Sequence, residues 1–164
     1  MVVDDAVISD KKLAAAIAPF FEDPAVGETR ALVVMQGGRV VAERYAPGYG
    51  PDTRLISWSM AKSVTAVLVG LMVADGRLAL DEPAIVTEWQ APRDNRAKIT
   101  LRHLLHMSSG LDHTEMAEGD IEIFDADTPR MLFLDGRENV ARYAETRPLE
   151  ANPGEKFEYS TATS

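Results

Sequence analysis

Ser59-Met60-Ala61-Lys62 opens the apolar run Ser63-Val64-Thr65-Ala66-Val67-Leu68-Val69-Gly70-Leu71-Met72-Val73, and the reading of this stretch decides the fold of the chain. The run predicts a helix that stops at Asp75-Gly76, where glycine accepts the left-handed cap conformation. On a helix, Ser59 and Lys62 share one face a single turn apart. A serine hydroxyl is a poor nucleophile at neutral pH unless a base takes its proton. So apolar a helix calls for burial, and a lysine carried into or beside a core is pushed toward its neutral form. The positive end of the helix macrodipole acts in the same direction, so Lys62 is a candidate base. The same residues admit a plainer reading, in which Ser57 or Ser59 caps the helix and Lys62 keeps its charge in water. Ser9-Asp10-Lys11-Lys12 has the same spacing, and a solvated helix start beside an acid accounts for it.

The chain has 164 residues, 46% of them hydrophobic and 26% charged, which is the make-up of one globular unit with a core. A formal net charge of −9 argues against a nucleic-acid partner and against an anionic membrane surface, since both are bound by clustered Lys and Arg. Cysteine is absent, which removes disulfides and thiolate chemistry. The N-terminus places Asp4 and Asp5 where a secretory signal carries basic residues, and Val64 to Ala74 is too short to span a bilayer. The expectation is a cytoplasmic protein.

Around the central helix, Asp10 is placed to cap a helix over 11–18, with Pro19 weakening its continuation. Ala31 to Met35 and Arg39 to Tyr45 are β-favouring runs joined through Gln36-Gly37-Gly38, which predicts a hairpin. Pro47 to Asp52 excludes regular structure. Thr100 caps a helix from Leu101 to Met107 with an apolar stripe of Leu101, Leu104 and Leu105, ended by Gly110. Residues 112–129 are acidic and aperiodic and read as a long exposed loop. Asp135 with Glu138 has the capping-box spacing and starts a helix that finishes before Pro148. The segment from Asn152 to Ser164 reads as a turn and an extended piece.

Other candidates have plainer explanations. His103 and His106 have a spacing that metal ligands use, but they flank an apolar stripe and no carboxylate is placed to complete a site. Asp120, Glu122, Asp125 and Asp127 lack the offsets of an EF-hand and read as a solvated loop. Gly37-Gly38 is a turn with no following phosphate-binding helix, and Ser108-Ser109-Gly110 is a helix end. No metal or cofactor is implied.

Four blocks occur in order: Leu55 to Thr65 around Ser59-x-x-Lys62; Gly76-Arg77-Leu78-Ala79-Leu80-Asp81-Glu82-Pro83; Ile99 to Leu111; and Pro153-Gly154-Glu155-Lys156-Phe157-Glu158-Tyr159-Ser160. Together they resemble the serine β-lactamase-related superfamily, in its class C-type branch of esterases, D-amino-acid peptidases and 6-aminohexanoate-dimer hydrolases. The resemblance covers residue 30 to the end. It implies an α/β fold of the β-lactamase/transpeptidase type, an antiparallel sheet layer with a helical lobe. Residues 1–60 supply a helix and hairpin of the sheet layer, and residues 61–164 supply the nucleophile helix and the helical lobe.

Carried over, the resemblance makes Ser59 the acylated nucleophile and Lys62 its proton partner, with Tyr159 relaying a proton to the leaving group and helping activate water. It implies hydrolysis of a small-molecule ester or amide. The alternatives are a β-lactamase or D-amino-acid peptidase on the same fold, and a non-catalytic binding module or inactive fragment. Two departures matter. The family's Tyr-x-Asn is here Tyr159-Ser160-Thr161, which lacks the amide and favours ester or other amide substrates over β-lactams. The family's Lys-Thr-Gly strand, which supplies the oxyanion donor that partners the Ser59 amide, has no counterpart here. The chain is therefore expected to be the N-terminal portion of a larger hydrolase, its C-terminal strands absent, completed by a further segment or a second chain.

Overall fold

A computed structural model describes residues 11–117, 119 and 122–164. The predicted cap Asp10, the spacing match that begins at Ser9 and the acid Asp120 lie outside the described residues. The chain divides into two compact units, one running to Ile56 and the other Ser57–Ser164.

In the first unit, α1 (Lys11–Glu22) runs past Pro19 instead of stopping before it. The cost of a proline inside a helix is met by contacts made beyond it. The Arg44 guanidinium lies 4.6 Å over the Phe21 ring and 2.9 Å from Glu22, which ties the last turn to a strand. That strand belongs to the predicted hairpin of β1 (Ala31–Gln36) and β2 (Arg39–Tyr45), paired antiparallel with Ala31 opposite Tyr45 and Gln36 opposite Arg39. Gly37 and Gly38 turn it at φ +57° and +75°, angles that a type I′ turn demands.

The second unit begins with α2 (Met60–Ala74), followed by Gly76 at φ +68° as the spacing predicted. Contrary to the expected burial, none of its residues is buried, and Val64, Val67, Leu68 and Leu71 are each more than half exposed. An apolar sequence states a demand for cover, and among the described residues nothing meets it.

The core lies further along, where Trp89, Ile99 and Leu111 pack with Ala84, Val86, Leu104 and Leu149. Its helices are short. α3 (Leu101–Leu105) is capped by Thr100 as expected, but ends at Leu105, two residues short of the expected Met107, which turns left-handed at φ +54°. His103 completes the cap: its Nδ1 accepts the Thr100 N–H at 3.2 Å while its own N–H donates to Thr100 Oγ1 at 3.2 Å. That contact gives His103 a structural task, and among the described residues no group of His, Asp and Glu is placed to hold a metal.

Two other expectations are overturned. The acidic stretch is not an exposed loop throughout, since it carries His113 at 3% exposure and leads into α4 (Asp127–Phe133), whose Asp127, Thr128, Pro129 and Met131 are buried. Buried partners explain this: Asp127 accepts from the Thr114 N–H at 2.9 Å, the Tyr143 hydroxyl at 2.8 Å and Arg147 at 3.1 Å. The last helix, α5 (Val140–Glu145), is capped by Asn139, whose side chain accepts from Arg142 N at 2.9 Å. Asp135 instead pairs with Arg130 at 2.7 Å, which takes the carboxylate away from the capping-box role. Arg96, held by Asp94 at 2.7 Å, fastens the end of α5 by donating to the carbonyls of Glu145 and Arg147.

Candidate active site

The approach to α2 is strained. Trp58 has φ +46°, an angle that costs a bulky residue about 1–3 kcal/mol, and it delivers the chain to Ser59 in one sharp step. Ser59 occupies the N-cap position yet makes no capping hydrogen bond with its side chain, so its hydroxyl is directed elsewhere. The capping alternative is thereby set aside for Ser59, and Ser57 makes no cap bond either, its hydroxyl reaching Trp58 O at 3.5 Å.

Lys62, one turn on and half-buried, donates from Nζ to Ser59 Oγ at 3.3 Å. The same Nζ donates to Thr161 Oγ1 at 3.3 Å and sits 5.0 Å from the centre of the Tyr159 ring. Tyr159 in turn donates from its hydroxyl to Ser59 Oγ. The three residues singled out in the sequence thus meet in one cluster, and Lys62 is not spread along the surface.

Tyr159 arrives from a hundred residues away because a second segment is laced to the first. The chain at 148–158 bonds back to 107–112: Asp112 N donates to Pro148 O at 2.9 Å, Glu150 N to Gly110 O at 2.9 Å, Gly154 N to Ser108 O at 2.8 Å, and Glu158 N to Met107 O at 2.8 Å. Lys156, pinned between Glu150 and Glu158 at 2.8 Å each, holds the strip together, and both carboxylates keep its ammonium protonated far above the usual lysine range. Beyond Tyr159, Ser160 caps the short 3₁₀ turn Thr161–Thr163.

The electrostatics ease ionisation of the phenol. The hydrogen bond with Ser59, then that with Lys62, hold Tyr159 below the ordinary tyrosine range, against a smaller upward push from burial and from Glu115. The site is open: Tyr159 is 41% exposed and Ser59 is exposed. Cavities flank it on two sides. One of about 500 Å³ is reached by Lys62 and Thr161 and walled by Trp89, Leu104, Met131 and Ala144. The other, of about 430 Å³, is bordered by Tyr159, His113, Glu115, Glu150 and Glu158.

Sequence reasoning missed Glu115, which grips Thr161 through the backbone N–H and the side-chain hydroxyl, each at 2.6 Å. It also missed His113, whose ring nitrogen Nε2 lies 2.8 Å from Thr128 Oγ1. Neither has a spacing signature, since their partners are distant in the chain.

Similarity to known proteins agrees with this architecture. Residues 22–164 match the Beta-lactamase family. The chain is 31% identical over 172 aligned positions to Esterase EstB of Burkholderia gladioli, covering 98% of this chain and 41% of the esterase. It is 38% identical over 61 residues to the 6-aminohexanoate-dimer hydrolase of Paenarthrobacter ureafaciens, covering 37% of this chain and 15% of that enzyme. Among solved structures, a putative 6-aminohexanoate-dimer hydrolase from Bacillus anthracis superposes with a TM-score of 0.66 at 23% identity, over 85% of this chain and 38% of that one. The chain therefore spans less than half the length of the relatives it matches. With the family match running through nearly all of the described residues, and the fold agreeing, the chain belongs to the beta-lactamase family.

Proposed function

We propose that the chain carries the nucleophile half of a serine hydrolase that cleaves an ester or amide through an acyl-enzyme on Ser59. The observation that carries this reading is the convergence of the Lys62 amine nitrogen, the Tyr159 hydroxyl and the Ser59 hydroxyl, with Tyr159 held below the ordinary tyrosine range by its two neighbours. Ser59 Oγ attacks the carbonyl carbon while its proton passes to the Lys62–Tyr159 pair. The same pair delivers that proton to the departing alcohol or amine. Water then attacks the acyl ester, giving its proton to the pair, and Ser59 regains a proton as the acid leaves. The names of the relatives, an esterase and a 6-aminohexanoate-dimer hydrolase, favour these bond types. Thr161 in place of an amide side chain favours them over β-lactams.

Turnover of a p-nitrophenyl ester by the full chain tests the reading. Ser59→Ala abolishes it, and Lys62→Met and Tyr159→Phe each lower it by roughly 10²- to 10⁴-fold, the range of a lost proton-transfer group. Equal turnover by the Ser59→Ala chain refutes it.

A further inference from the structure

We propose that Glu115, acting through Thr161, is a positioning residue that fixes the direction of the hydrogen bond at Lys62, a role that rests on the Ser59 reading above. A threonine hydroxyl has one proton and two lone pairs. Thr161 Oγ1 has two partners, Glu115 Oε1 at 2.6 Å and Lys62 Nζ at 3.3 Å. A carboxylate only accepts, so the single proton points at Glu115 and a lone pair is left facing Lys62. A free hydroxyl in that place could turn its proton toward the amine and compete with Ser59 for the nitrogen. Held by Glu115, it can only accept, as a carbonyl oxygen would.

The rest of the network keeps Glu115 in this state. Its Oε2 accepts from the Thr161 N–H at 2.6 Å and from the Thr128 hydroxyl at 2.9 Å. Thr128 has then spent its proton and must accept from His113 Nε2, 2.8 Å away, which fixes the imidazole as the Nε2–H tautomer. The other ring nitrogen agrees: His113 Nδ1 is buried without a partner among the described residues, as befits a lone pair and not an N–H. Every bond from His113 to Lys62 therefore has one direction. The side chain of Glu115 is 23% exposed and that of His113 fully enclosed, so water has little access with which to scramble the order.

Glu115→Gln nearly preserves shape and reverses polarity. The amide nitrogen cannot face the fixed Thr161 N–H, so it takes the Oε1 place, donates to Thr161 Oγ1 and turns that hydroxyl's proton onto Lys62. The test is the rate at which a fluorophosphonate probe modifies the full chain, resolved into a maximal rate constant and a half-saturating concentration. Glu115→Gln lowers the maximal rate constant about 10- to 100-fold and leaves half-saturation unchanged, within the range of a disturbed proton-transfer group. Thr161→Val lowers the same rate constant. Adding Glu115→Gln to Thr161→Val costs nothing more, because the hydroxyl it would turn is gone. A role confined to packing predicts the opposite, with the Glu115→Gln loss persisting in the Thr161→Val chain. That result, or a wild-type rate in Glu115→Gln, overturns the inference. Undiminished modification of the Ser59→Ala chain overturns the nucleophile reading instead.

Discussion

Replacing Gly110 by alanine attacks the strip that brings Tyr159 to Ser59. Gly110 sits at φ +76°, and a Cβ there would fall on the carbonyl oxygen of Ala151, with the Ala151 carbonyl carbon at 3.0 Å and the Asn152 carbonyl carbon at 3.3 Å. These are backbone atoms of the segment whose N–H groups bond to Gly110 O, so they cannot withdraw without breaking the strip. The left-handed angle costs alanine about 1–2 kcal/mol. Forcing a methyl into filled space adds about 1–3 kcal/mol. Gly76 separates the two effects: it has φ +68°, and a Cβ there meets nothing within 4 Å, so Gly76→Ala carries the angular cost alone. At about 2–4 °C per kcal/mol for a chain of this size, Gly76→Ala should lower the thermal midpoint by a few degrees and Gly110→Ala by roughly twice as much or more. Circular dichroism melts of the full chain read the difference. A Gly110→Ala chain that melts no lower than Gly76→Ala refutes the claim that close approach of the two segments positions Tyr159.

Ultraviolet titration of the tyrosines should show Tyr159 ionising first relative to Tyr45, raised chiefly by its bond to Glu43, and Tyr143, raised by burial. Ser59→Ala removes the largest cause and should move that step back toward the ordinary range, while an unmoved step contradicts the assigned geometry. Burial holds His113 below the ordinary imidazole range, against the pull of Asp127 and Glu115. The unfolded chain thus binds a proton first as pH falls through about 6.5, so resistance to urea should decline from there toward pH 5, and His113→Gln should flatten that decline. A slope identical in both chains counts against a buried neutral imidazole.

How much of this was legible in the sequence depended on the range of the interactions. The hairpin was readable because β-favouring runs and two glycines specify it locally, and the ends of α2 because Ser59 and Gly76 flank an apolar run. Ser59 and Lys62 were paired by their helical spacing, whereas Tyr159 was reached through resemblance, since it shares no periodicity with α2. Where local rules failed, a distant partner had won. Asn139 caps α5 because Arg130 engages Asp135. The acidic stretch folds inward because Asp127 meets Tyr143 and Arg147, and Glu115 meets Thr161. The burial expected of α2 failed for a different reason: an apolar face is legible, but what covers it is not written in that face.

The central claim is that Lys62 and Tyr159 make one serine, Ser59, chemically distinct from every other hydroxyl in the chain. Mass-spectrometric mapping of the chain after brief exposure to a fluorophosphonate tests this directly. A phosphonyl adduct on the peptide containing Ser59, lost in Lys62→Met and Tyr159→Phe, is the predicted result. Adduct spread over other serines, or unchanged at Ser59 in both variants, contradicts it.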